Sequence, residues 1–394
     1  MKPIDAYLEE LWSDDIRVVP KAAFASEELY QLELEKIFLG PVWHAVAHIA
    51  ELPNPGDFKS THLGEAPILL VHQKNGQIKA FYNACTHRGT LLETHACGHA
   101  EFFECPYHRW MFHSDGTLAK APGREAFPQS FKEEDFALKP LRVENFKGLI
   151  FVTASHNPPT LAEFLGETAE PLAWAMEDGA PLEYLGAQKV MYQANWKAYR
   201  DNDGYHPPLL HAAFRMLNWQ GGKGRVIAEK NGNIALISEL SLPKDTGVLK
   251  DGSLLQFKGS HPERGSLVIG FMPALVVTHH MDMINVRYAI PRGLKKVEVH
   301  YCYYVRKDDD EAMRRHRLRQ SANLLGPSGL ITLEDAAVFQ RIQKATSTKG
   351  DAIFLKGCKE GVDPYTSAQN DEVANLVWWQ EYRRILGLPE GRLP

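Results

Sequence analysis

Cys85, His87, Cys105 and His108 constrain this chain more than any other residues in it. They stand as Cys-Thr-His, a gap of 17 residues, and Cys-Pro-Tyr-His. Alternating Cys–His pairs suit a [2Fe–2S] cluster in which two thiolates hold one iron and two imidazoles hold the other. Imidazole is neutral where thiolate is anionic, so such a cluster accepts an electron more readily than a four-thiolate one. A structural zinc ion also takes two Cys and two His. Zinc fingers, however, place Cys beside Cys and His beside His. A cluster held on loops needs a rigid frame, which a small sheet with both pairs at hairpin tips provides.

Composition narrows the setting. A chain of 394 residues suits two domains, and 44% hydrophobic content supplies real cores. The net charge of −5 offers no basic surface for nucleic acid. No apolar run is long enough for a transmembrane helix. The acidic stretch MKPIDAYLEELWSDD lacks the apolar centre of a signal peptide. Five Cys, two of them in the metal motif, argue against a disulfide framework and for a reducing, cytoplasmic setting. Cys97, Cys302 and Cys358 are expected to be buried structural thiols.

Patterning gives an order of parts. Helical spacing covers Ser26 to Phe38. From Trp43 to Thr153 short strands and turns take over. Ile68–His72 and Ile78–Tyr82 flank Lys74-Asn75-Gly76, and Asn-Gly predicts a hairpin whose two turn residues both take positive φ. Ser114-Asp115-Gly116 marks another turn, and Leu149–Val152 reads as a closing strand. His156-Asn-Pro-Pro159 reads as a linker, followed by a helical pattern from Leu161 to Met176. Strands dominate Val226–Val305, and helical patterns cover Asp308–Leu325, Leu330–Lys344 and Asp371–Leu386. The expectation is an α+β chain. It has an N-terminal helical segment (1–40), a small all-β domain (41–155), and a second domain (156–394) whose antiparallel sheet is bracketed by helices.

A second metal motif lies in Asn195-Trp-Lys-Ala-Tyr-Arg-Asp-Asn-Asp203-Gly-Tyr-His206-Pro-Pro-Leu-Leu-His211. Five helical steps put His206 and His211 about 140° apart. Pro207 and Pro208 bend the chain after His206, and a bend can bring His211 back to the same ion. Two His and one carboxylate make the open face that suits non-haem Fe(II). Spacing alone does not select the carboxylate among 49 acidic residues.

The strings Cys85-Thr-His-Arg-Gly and Cys105-Pro-Tyr-His-Arg-Trp resemble the cluster loops of Rieske non-haem iron oxygenases. Arg109 departs from the Gly usual there. Asn195-Trp-Lys, then Asp203-x-x-His206-x-x-x-x-His211, then Gly326-Pro-Ser-Gly with Glu334-Asp335 downstream, resemble the catalytic domain of their α subunits, which is helix-grip-like. The resemblance covers nearly the whole chain. It implies that Cys85, His87, Cys105 and His108 hold the [2Fe–2S] cluster and that His206, His211 and Asp335 hold mononuclear Fe(II). It further implies that Asp203 bridges His206 and the His108 of a neighbouring subunit, within a homotrimer (α3) or an α3β3 assembly with a small β subunit. Arg200-Asp201-Asn202 stands where relatives carry Glu-Asn a few residues earlier. No G-x-G-x-x-G follows a strand, so electrons are expected from an external ferredoxin or flavin-dependent reductase.

The segments Ile284–Gly293, Asp308–Arg315 and Asn323–Gly329 resemble the aromatic-ring-hydroxylating branch, including salicylate- and benzoate-type subunits. O2-dependent hydroxylation or cis-dihydroxylation of an aromatic acid is the expected activity. Oxidation of a quaternary amine or methoxy compound is the alternative, for which Tyr205, Phe214 and Trp219 would offer an aromatic box. An electron carrier without oxygenase activity is a third, but it has no use for the second metal motif. The basic run Met313–Arg319 is weighed both as a docking face for an acidic ferredoxin and as a solvated helix face.

Overall fold

A computed structural model describes residues 10–202, 213, 224–238, 247, 249–260 and 265–393. Phe38–Pro159 forms one unit. The described residues up to Ile37 join those from Thr160 onward in the other.

In the first unit, the apolar run Ile68-Leu-Leu-Val71 shows how the sheet is covered. A strand that is apolar at every position is buried on both faces. Leu69 and Val71 enter a core with Phe81, Phe103, Trp110, Cys85 and Cys105. Ile68 and Leu70 enter the opposite core with Val46, Ala80, Ile150 and Val152. Seven strands form the antiparallel sheet, in the spatial order His44–His48, Leu149–Thr153, Pro140–Phe146, Ile78–Tyr82, Ala66–His72, Asp57–Leu63 and Cys97–His99. A three-stranded sheet of Phe102–Glu104, Met111–His113 and Leu118–Lys120 completes the unit.

The Asn75-Gly76 hairpin is present, but its turn differs from the expectation. Gln73 N–H donates to Gln77 O (2.8 Å) and Gly76 N–H to Gln73 O (2.9 Å). Of the pair, only Gly76 has positive φ (+84°). The loop therefore holds three residues, a type I turn ending on a left-handed glycine, which also matches strand twist. His113 to Thr117 repeats this loop, with Gly116 at φ +90°.

The second unit is built on eight antiparallel strands, in the order Leu182–Tyr192, Val297–Arg306, Met283–Pro291, Leu275–His280, Ser266–Phe271, Ile234–Ser238, Gly224–Ala228 and Thr366–Ala368. One face meets the helix Val373–Leu386, where Ala374 and Val377 pack on Val226, Ile234 and Leu236. On the other face Phe164 meets Phe271 at 6.5 Å. Phe164 belongs to the helix Leu161–Leu165, which with Ala169–Ala175 replaces the single helical run expected there. The helix expected from Ser26 is α-helical over Glu27–Glu33 and widens to a π turn over Leu34–Phe38.

The string Asn195-Trp196-Lys197 has a local physical role. Asn195 caps the helix Trp196–Arg200, its side chain accepting from Lys197 N–H. Trp196 Nε1 donates to Glu33 (2.7 Å), Lys197 Nζ to Glu33 (2.5 Å) and Tyr382 OH to Glu33 (2.5 Å). Glu33 and Lys197 are both wholly buried. One carboxylate thus joins the helix Glu27–Glu33, the short helix before the second metal motif and the last helix. At the far end of that short helix, Asp201 Oδ1 accepts from Trp379 Nε1 (2.9 Å) and its carbonyl from Asn375 (3.0 Å). Removing one member of a buried ion pair strands the other charge. Lys197→Met is expected to lower unfolding free energy by about 3 kcal/mol, and the double variant with Glu33→Gln to recover part of that loss, as read by urea unfolding.

Candidate metal centres

The four residues of the first motif come together at the end of the smaller unit. Cys105 and His108 sit at the tip of the hairpin between Phe102–Glu104 and Met111–His113. Cys85 and His87 lie in a loop closed by the isolated bridge Ala84–Leu91, not at the tip of a hairpin as expected. That bridge is too short to extend into a ladder.

The two loops share one backbone scheme. Cys85 N–H donates to Thr90 O (2.8 Å), and Cys85 O accepts from Gly89 N–H (2.9 Å). Cys105 N–H donates to Trp110 O (2.7 Å), and Cys105 O accepts from Arg109 N–H (3.0 Å). The fourth residue after each Cys is left-handed, Gly89 at φ +75° and Arg109 at φ +62°. So the Arg found in place of Gly adopts a glycine conformation, and its side chain forms an ion pair with Glu104.

Both thiols are buried, Cys85 at 3% and Cys105 at 1% exposure. They hydrogen-bond each other, and the Cys85 sulfur accepts from the N–H groups of His87 and Arg88. Burial pushes the Cys85 thiol pKa up, the N–H groups oppose this, and Cys105 adds to the rise. The His87 and His108 rings lie 4.8 Å apart at 69°. His87 stacks on Trp110 at 4.6 Å and 6°, and His108 packs on Tyr107 at 3.8 Å. Burial, then the neighbouring His108 and Arg88, lower the His87 pKa and favour the neutral ring that a metal needs. His108 Nδ1 is buried with no hydrogen-bond partner among the described residues. Two adjacent thiols, N–H groups aimed at sulfur, and an imidazole nitrogen facing inward fit a cluster with two protein ligands per iron. They do not fit a single ion: among the described residues no three His, Cys, Asp or Glu side chains converge on one metal position.

Of the second motif, Asp203, His206 and His211 lie outside the described residues, as do Tyr205, Phe214 and Trp219. Asp335 is in the first turn of the helix Thr332–Ala345 and is buried, while Glu334 beside it is half-buried. The charge of Asp335 acts on Arg287, Tyr192 and Tyr301. The two tyrosine hydroxyls are 2.8 Å apart, and burial drives both phenol pKa values up, Tyr192 to about 12. Sequence reasoning missed this group. An Arg inside the apolar strand Met283–Pro291 was the available signal.

Other expectations resolve plainly. Cys302 and Cys358 are buried, but Cys97 is exposed, because the strand Cys97–His99 is the outermost of its sheet. The basic helix Glu311–Gln320 is not a free cationic face. Arg314 pairs with Glu183 (2.5 Å), Arg317 with Asp309 (2.8 Å), Arg315 with Glu311 (3.7 Å), and Arg319 with Asp251. His279 meets Glu177 (3.0 Å), and His280 meets Ser266.

The twin loops make a testable distinction at Arg109. Arg109→Gly is expected to keep iron and acid-labile sulfide and to hold or slightly raise the thermal midpoint. Arg109→Val places a β-branched residue in the left-handed region. A further loss of stability relative to Arg109 is expected, because a β-branched residue tolerates that region less well, together with reduced iron content measured after purification.

Comparison with known proteins agrees with both halves of the chain. A Rieske [2Fe-2S] domain model matches residues 42–141, and a model for the ring hydroxylating alpha subunit (catalytic domain) matches residues 179–385. The large subunit of anthranilate 1,2-dioxygenase from Burkholderia cepacia is 30% identical, over 95% of this chain and 94% of its own. The terminal oxygenase component subunit alpha 2 of terephthalate 1,2-dioxygenase from Comamonas sp is 31% identical, over 94% and 95%. Among solved structures, naphthalene 1,2-dioxygenase from Rhodococcus sp. aligns with a TM-score of 0.82 at 22% identity, covering 94% of each chain. A quaternary ammonium Rieske monooxygenase aligns at 0.75 and 22%, over 92% of this chain and 93% of its own. The chain belongs to the family of ring-hydroxylating Rieske oxygenase α subunits, oxidoreductases that use a [2Fe–2S] cluster and mononuclear iron.

Proposed function

We propose that this chain is the terminal oxygenase component of a multicomponent system that hydroxylates or cis-dihydroxylates an aromatic acid. The observation that carries the reading is the pair of metal motifs in one chain, with full-length similarity to subunits named for anthranilate and terephthalate dioxygenation. When bound, the cluster supplies single electrons and the mononuclear iron supplies dioxygen chemistry.

The chain's own residues are assigned as follows. Cys85 and Cys105 hold one cluster iron, His87 and His108 the other. Trp110 fixes the His87 ring plane, and the N–H groups of His87 and Arg88 stabilise the thiolate form of Cys85. His206, His211 and Asp335 hold the mononuclear iron. Asp203 orients His206 and the cluster histidine of a neighbouring subunit through hydrogen bonds, and holds the proton that accompanies electron arrival. A ferredoxin or flavin-dependent reductase supplies the electrons, and the working assembly is α3 or α3β3. Among the described residues no helix is long and apolar enough to cross a membrane, and we place the protein in the cytoplasm on its cysteine usage. Oxidation of a quaternary amine has only the shared fold in its favour.

Anaerobically purified protein is expected to carry about three irons and two acid-labile sulfides per chain, with a Rieske-type EPR signal when reduced. Aromatic acids, and not quaternary amines, are expected to stimulate oxygen uptake in the presence of a ferredoxin and reductase. Asp203→Asn is expected to keep both metals and lose at least about 90% of turnover. Full turnover in that variant would remove Asp203 from the route.

A further inference from the structure

One face of the eight-stranded sheet carries a buried group of polar side chains at its centre. Along Met283–Pro291, residues Met283, Asn285 and Arg287 share a face, since side chains alternate along a strand. On the neighbouring strand His280, Thr278 and Val276 stand opposite them in register. Met283 packs with Leu324, Leu325, Ile331 and Ala213. This face therefore looks toward the start of the helix of Asp335 and toward Ala213, two residues after His211 in sequence.

Arg287 is buried on this face at 9% exposure. Nε donates to Asn285 Oδ1 (3.0 Å), Nη2 donates to Leu325 O (3.3 Å), and Tyr199 provides another hydrogen bond. The guanidinium also lies 5.0 Å from the centre of the Tyr301 ring. Every one of these partners is neutral. Among the described residues the carboxylate whose charge reaches Arg287 is Asp335, which the reading above commits to iron. A desolvated cation whose hydrogen-bond partners among the described residues are all neutral is costly, and an incoming anion offsets that cost. Thr278, opposite Asn285, supplies an independent sign. Its hydroxyl is buried, at 2% exposure for the residue, with no partner among the described residues. Beyond it His280 is held neutral, its pKa brought down to about 3 by burial and by the charge of Arg287.

We infer that Arg287, with Thr278 beside it, binds the carboxylate of an aromatic acid substrate and so places the ring against the mononuclear iron site. This assignment rests on the oxygenase reading above and adds the group that recognises the acid. Guanidinium and carboxylate match in charge and in planar geometry, which is why Arg serves this purpose better than Lys. The same buried cation repels a quaternary ammonium group, so this face selects between the two substrate classes.

The test is direct binding to the metal-loaded protein, measured anaerobically by equilibrium dialysis. The probes are benzoate, 2-aminobenzoate and terephthalate, each beside its amide. The wild type is expected to bind at least one acid about 30-fold tighter than its amide. Arg287→Met is expected to erase that preference while leaving amide binding within about threefold, and Arg287→Lys to keep part of it. Thr278→Val, a milder change, is expected to weaken acid binding several-fold and spare the amide. Iron and sulfide contents equal to wild type establish that the variants are folded. A wild-type acid preference that survives Arg287→Met overturns the assignment and leaves the oxygenase reading standing. Equal binding of acid and amide by the wild type does the same. If neither acids nor amides bind, the aromatic-acid reading falls and the assignment falls with it.

Discussion

The larger unit is organised around one buried carboxylate. Glu33 comes from the N-terminal helix, Trp196 and Lys197 from the short helix preceding the second metal motif, and Tyr382 from the last helix. These elements are far apart in sequence, and none holds its position by local hydrogen bonding alone. A charged pair at zero exposure is expensive to desolvate, so it persists only where hydrogen bonds saturate it. Here an indole and a phenol complete the set. The aromatic layer of Trp12, Trp378, Trp379 and Tyr382, with ring centroids 4.8–5.9 Å apart, surrounds the pair. The helix that precedes the segment proposed to bind the mononuclear iron is therefore anchored at both ends, by Glu33 and by the contacts of Asp201.

The smaller unit meets a different demand. On the proposed assignment it presents two thiols to one metal atom and two imidazoles to another, from motifs separated by 17 residues. It does so by repeating one backbone pattern twice, closing each loop through the N–H and C=O of its Cys. Rigidity comes from the core below, where Phe103, Phe112 and Trp110 are buried with the cysteines themselves. The cysteines thus belong to the hydrophobic core, whereas His87 reaches the surface.

Much of this was legible in the sequence, because the signals were local. Cys–His spacing pointed to the cluster, short apolar runs between turn residues marked the strands, and the helical pattern read from Ser26 begins on a helix that Ser26 caps. What escaped was set by partners distant in sequence. Nothing near Glu33 says that it will be buried against Lys197. Nothing near Arg314 or Arg319 says that Glu183 and Asp251 will pair with them, so the basic run could be read only as a docking face or a solvated helix face. The Asn75-Gly76 turn was misjudged by one residue because strand register, set by the two cores, fixes loop length more firmly than the dipeptide does. Arg287 was visible as a letter but not as a site, since its meaning comes from the neutral atoms around it.

The stacking of His87 on Trp110 has a consequence for electron transfer itself. A ring pressed flat against an indole, 6° from parallel, has little freedom to turn when charge at its nitrogen changes. The ring is also exposed, so on the proposed assignment of His87 to the cluster the ligand stands at the surface and is held in place. A ligand that moves little on oxidation and reduction contributes little reorganisation energy. With His87 assigned to the cluster as proposed, Trp110 would hold the ligating ring in place through a change of charge without binding metal itself.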